Sequence, residues 1–66
     1  MERTAKAIRE ALNPAKQGRV YIRMMFDVAP IRVFDARERN GELQVKCGVD
    51  GPWLTVLMGD ELWESN

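Results

Sequence analysis

The chain has 66 residues, with ten basic and ten acidic side chains, no histidine and one cysteine, Cys47. A chain of this length makes a single small domain, 1–66, and such domains bury only about 60% of the surface their unfolded chains expose, so the core is marginal and needs a further source of stability. The lone cysteine excludes an intramolecular disulfide and the absence of histidine removes the usual zinc ligand sets, which leaves packing or a partner.

Charge is unevenly spread. Residues 1–39 carry nine bases and five acids, whereas 40–66 carry one base, Lys46, and five acids, and the sequence pI is near 6.2. Such polarity marks either a basic face for nucleic acid or two faces that attract each other in a dimer. The opening "MERTAKAIRE" is too charged for a signal segment, and no apolar run of about 18 residues follows. The expectation is a cytoplasmic protein without membrane contact, which a free thiol fits.

Ala5, Ile8, Ala11 and Leu12 recur at helical spacing, with Arg3, Lys6, Arg9 and Glu10 on the other side, which predicts an amphipathic helix over 4–13. Pro14 disfavours helical backbone at Asn13 and should end it, leaving 14–18 as a linker. Arg19–Phe26 alternates Val20, Ile22, Met24 and Phe26 against Tyr21, Arg23 and Met25, the period of a strand. Residues 27–30 read as a connection, with Pro30 opening a second strand over 31–39.

A two-residue type I′ turn at Asn40-Gly41 pairs Arg39 with Glu42, Arg37 with Gln44 and Asp35 with Lys46 on one face, and Glu38 with Leu43, Ala36 with Val45 and Phe34 with Cys47 on the other. The same rule at Asp50-Gly51 pairs Cys47 with Leu54, Val45 with Val56 and Leu43 with Met58. Together the two turns predict an apolar layer of Phe34, Ala36, Leu43, Val45, Cys47, Leu54, Val56 and Met58. A loop across 27–30 pairs Met24 with Val33 and Phe26 with Ile31, on the face opposite Phe34. Either a bulge turns the first strand inward, or both faces of the sheet carry apolar residues that need cover. Residues 59–64 close the sheet as a terminal turn or a further strand.

The fold class is therefore α+β: an N-terminal helix packed on a bent antiparallel meander of four or five short strands across 19–64. The tight hairpins of this meander resemble an SH3-like small barrel, although no family motif accompanies them.

No residue pattern supports catalysis, a cofactor or a small-molecule substrate. The acids Asp27, Asp35, Asp50, Asp60 and Glu61 fall in turns or on a solvent face, and no histidine is present to act as a base near neutral pH. Cys47 lies beside Phe34 and Leu54 and packs as a small hydrophobe. Gly41, Gly48, Gly51 and Gly59 sit at turns, not in a phosphate-loop spacing. Trp53 faces away from Leu54 with Thr55 and Leu57, under either the helix face of Ile8 and Leu12 or a protein partner; Trp63 folds over the open end of the sheet.

The preferred reading is a non-enzymatic protein-interaction module, a small accessory or regulatory protein that binds another protein or itself, through Trp53, Leu57, Tyr21 and Trp63. The alternative is a nucleic-acid-binding module that uses Arg19, Tyr21, Arg23 and Arg32 as a basic and aromatic strip, with Lys6, Arg9 and Lys16 adding phosphate contacts.

Overall fold

Thr4 starts the helix. Its backbone is extended and its Oγ1 accepts a hydrogen bond from the Ala7 amide at 3.1 Å, satisfying one of the donors a helix start leaves free. In the computed structural model, which describes residues 1–66, this helix, α1, spans Ala5–Ala11. It stops short of the expected end at residue 13 because Asn13 begins a different turn. The Asn13 side chain accepts from the Ala15 amide at 3.0 Å and caps a 3-10 turn over Pro14–Lys16, where the proline needs no amide partner. Gln17 then adopts a left-handed conformation, φ 53°, and leads the chain into the sheets.

Six strands follow: β1 (Arg19–Arg23), β2 (Ile31–Val33), β3 (Asp35–Arg39), β4 (Glu42–Lys46), β5 (Trp53–Thr55) and β6 (Glu61–Ser65). They form two antiparallel three-stranded sheets, in the orders β2-β1-β6 and β3-β4-β5. The class is α+β, and neither sheet closes into a barrel, since no ladder joins β5 to β6.

The Asn40-Gly41 hairpin has the register its turn dictates. Both turn residues have positive φ, 54° and 77°, and Arg39 faces Glu42, Arg37 faces Gln44, Ala36 faces Val45 and Asp35 faces Lys46. Arg37 Nε donates to Gln44 Oε1 at 2.8 Å, so the outer face of the pair is tied by side chains as well as backbone.

The second hairpin corrects the expectation by two residues. Val45 faces Leu54 rather than Val56, and the Cys47 amide donates to the Pro52 carbonyl at 3.1 Å, which leaves 48–51 as the loop. A two-residue turn at Asp50-Gly51 would need residue 52 to donate its amide to Val49, and Pro52 has none. A slip of two keeps each side chain on its face, so Leu54 still points inward, but Met58 leaves the sheet and is 100% exposed instead of facing Leu43.

The first strand is also corrected. It ends at Arg23, not Phe26, and pairs Val20 with Val33 and Ile22 with Ile31 rather than Met24 with Val33. No bulge occurs within β1. The change of face lies instead in the second predicted strand, where Val33 and Ala36 are both fully buried although they are three residues apart. Phe34 and Asp35 absorb the switch: the Phe34 amide donates to the Lys46 carbonyl, and Asp35 Oδ1 accepts from the Ala36 amide, each at 2.8 Å. One bent segment thus supplies an edge strand to each sheet, and Phe34 is turned out of the predicted core layer.

The core is Ile8, Ala11, Val20, Ile22, Val33, Ala36, Val45 and Leu62, drawn from α1 and from both sheets. Helix α1 packs on β3 and β1, which inserts Ile8 between the inner faces rather than over Trp53. Each fully buried valine or isoleucine contributes about 1.5–3 kcal/mol.

Candidate functional site

Val20 and Ile22 point inward, so Arg19, Tyr21 and Arg23 line the outer face of the β2-β1-β6 sheet. On β6, Leu62 points inward, and Glu61, Trp63 and Ser65 line the same outer face. The register sets Trp63 beside Tyr21, with Arg32 on the other flank of Tyr21 and Glu61 opposite Arg23. The Tyr21 and Trp63 rings stack with centroids 5.8 Å apart and planes 24° from parallel. Arg23 and Glu61 form an ion pair, and the Arg32 guanidinium lies 4.9 Å from the centre of the Phe34 ring. The other ion pair in the molecule joins Arg9 to Asp35 at 3.4 Å, so Arg19 and Arg32 have no carboxylate partner. The four residues of the basic and aromatic strip therefore share one face, joined by Trp63, which belongs to β6 rather than to a terminal turn.

Trp53 lies on the other sheet. It is cross-strand from Lys46, and the Arg37 guanidinium sits over its ring at 4.1 Å, the cover that the helix was expected to give. Trp53 and Leu57 are thus on different elements from Tyr21 and Trp63, and the four do not make one patch.

Leu57 belongs to a third region, where the β1–β2 loop (24–30) meets the β5–β6 loop (56–60). Asp60 joins them. Its side chain is buried, Oδ1 accepting from the Met25 amide and Oδ2 from the Leu57 amide, both at 2.9 Å. Arg3 donates to the Leu57 carbonyl at 3.2 Å and to the Asp60 carbonyl, so the N-terminal segment braces the same corner. Gly59 lies against the Met25 thioether, which would have to move aside for a Cβ.

These two pinned loops carry most of the exposed large apolar side chains: Phe26 is 90% exposed, Val28 92% and Met58 100%, with Met25 and Leu57 more than half exposed. A groove of about 240 Å³ runs between the loops, lined by Met24, Met25, Phe26, Leu54 and Leu57, with Thr55, Asp27 and Asp60 as its polar members. A second groove lies between Met58, Arg3, Leu43 and Val56. The sequence signal for this region was the run Met24-Met25-Phe26 before Asp27 and Pro30, which alternation assigned to a strand.

Burial pushes the Cys47 thiol above its ordinary pKa, which lowers its thiolate fraction and its nucleophilicity near neutral pH. No three metal-ligating side chains come together, and both oxygens of Asp60 are occupied by backbone amides. No helix is long and apolar enough to cross a membrane. Comparison with protein-family models, with curated proteins and with solved structures gives no match for this chain.

Proposed function

We propose that the chain is a non-enzymatic interaction module that associates with a second copy of itself through the apolar end formed by the β1–β2 and β5–β6 loops. The observation that carries this reading is the near-complete exposure of Phe26, Val28 and Met58 on two loops that Asp60 ties together through the Met25 and Leu57 amides. Large apolar side chains on mobile loops cost little, because they can collapse onto the surface; held outward, they keep apolar area in water at about 25 cal/mol per Å². Burial against another molecule recovers that free energy. A second copy suits the patch because an apolar surface needs no opposite charge and is self-complementary across a two-fold axis. The small core, eight buried apolar residues of 66, gives such a contact a large share in total stability. The reading does not depend on an SH3-like closure of the sheets.

Molar mass by light scattering during size-exclusion chromatography tests it over a range of concentrations and at two salt concentrations. The expected result is a concentration-dependent dimer at both salts, since apolar burial is insensitive to screening. The double variant Phe26→Ser, Met58→Ser should remain folded by circular dichroism and dissociate at least about tenfold more readily, as for loss of central interface anchors. A monomer at every concentration overturns the proposal.

A further inference from the structure

We propose that the outer face of the β2-β1-β6 sheet is a binding site for single-stranded nucleic acid, with bases stacking on Trp63 and Tyr21 and phosphates held by Arg19 and Arg32. This site is separate from the apolar loop end and does not rest on self-association.

Three observations converge on it. The first is the row Trp63, Tyr21, Arg32, set side by side across all three strands by the ladder register. It spans two strand spacings, about 10 Å, room for roughly two bases. Both rings are only half-buried, so aromatic surface remains open beside their mutual contact. The second is the use of the arginines. Arg3, Arg9 and Arg23 are engaged with carbonyls or a carboxylate and Arg37 with the Trp53 ring, whereas Arg19 and Arg32 are exposed with no carboxylate partner, Arg32 resting against the Phe34 ring; Arg39, also without an ion pair, lies on the other sheet. A cross-strand aromatic pair stabilises any sheet, but that role does not call for guanidiniums without carboxylate partners around it. The third is local charge. Arg19, Arg23 and Arg32 share the face with one carboxylate, Glu61, already bound to Arg23, while Glu64 has the inward register and is exposed only near the strand end. The chain is neutral as a whole, yet this face is positive.

The chemistry selects unpaired bases. Every base offers a π-face to an aromatic ring, and a guanidinium contacts phosphate through paired N–H donors or stacks on a base. In a duplex those π-faces are hidden, and a flat strip carrying two guanidiniums without carboxylate partners makes few phosphate contacts with it.

Fluorescence anisotropy with labelled oligouridine and oligodeoxythymidine of about 15 nucleotides, against a duplex of equal length, tests the full chain. The expected result is binding of one or both single strands in preference to duplex, with a log–log salt slope of about −1.4 for two neutralised phosphates. A preference for uridine assigns part of the affinity to the ribose hydroxyl, and a preference for deoxythymidine assigns the site to DNA. Trp63→Leu should weaken binding at least about tenfold. Arg19→Gln with Arg32→Gln, both at exposed positions, should flatten the salt slope without changing the fold, which keeps the test decisive if Trp63→Leu unfolds. Phe26→Ser with Met58→Ser should bind as the parent does. No binding at low salt, equal affinity for duplex, or a salt slope unchanged in the double arginine variant overturns the proposal.

Discussion

Asp60 is the one charged side chain in the buried set, and its two oxygens serve two loops. Replacing it by alanine leaves the part-buried Met25 and Leu57 amides without their acceptor. The expected cost of Asp60→Ala is about 2–4 kcal/mol, read from urea unfolding, because each orphaned buried donor costs about 1–3 kcal/mol. Asp60→Asn retains one acceptor oxygen and turns an NH₂ toward the other amide, so it too destabilises, by less. Nothing local marks this role in the sequence. Asp60 stands beside Glu61 and reads as a turn acid, and its partner Met25 lies 35 positions away along the chain. Trp53 was misread for a similar reason, since the guanidinium that covers it comes from two strands across.

The elements divide according to how locally they are specified. The β3–β4 hairpin was legible from Asp35 to Lys46 because turn geometry, charge pairing and apolar pairing all lie within that short stretch and agree; the sixth expected pair, Phe34 with Cys47, does not form. Its weak point is Gly41, at φ 77° with no neighbour close to a Cβ, so the barrier to substitution is backbone conformation alone. Gly41→Val should destabilise by about 1–2 kcal/mol in thermal or urea unfolding, since a β-branched residue is strained at positive φ. The β4–β5 connection was misread although the same dipeptide logic applied, because Pro52 removes the amide that a tight turn requires. The first strand was misread because its end is set by Asp60, an acceptor from the far end of the chain. The face switch at Phe34 and Asp35 gives no sign in an alternation pattern, which assumes that a strand keeps one sheet.

The radius of gyration is 10.9 Å, close to the ~11 Å expected of a compact chain of 66 residues, so the exposed apolar loops do not reflect loose packing. The uneven charge along the sequence does not become two opposed halves. Arg9 pairs with Asp35 inside the basic half, and Arg23 reaches across to Glu61. What survives folding is a division by surface: arginines and aromatic rings on one outer sheet face, bare apolar side chains on one loop end, and a mixed-charge face around Trp53. The existence of a helix and an antiparallel sheet could be read from periodicity, but that division could not, because it depends on which strands become neighbours.

The bent segment from Ile31 to Arg39 has a consequence for how the chain comes apart. Each sheet has only three strands, too few to persist alone with half its core removed, and the two sheets share this segment and Ile8 beneath it. Neither can open while the other stays closed. Amide hydrogen exchange should therefore find Val20, Ile22, Val45 and Leu54, from both sheets, exchanging through a single global opening with the same free energy; two separate protection levels would show independent subunits of stability.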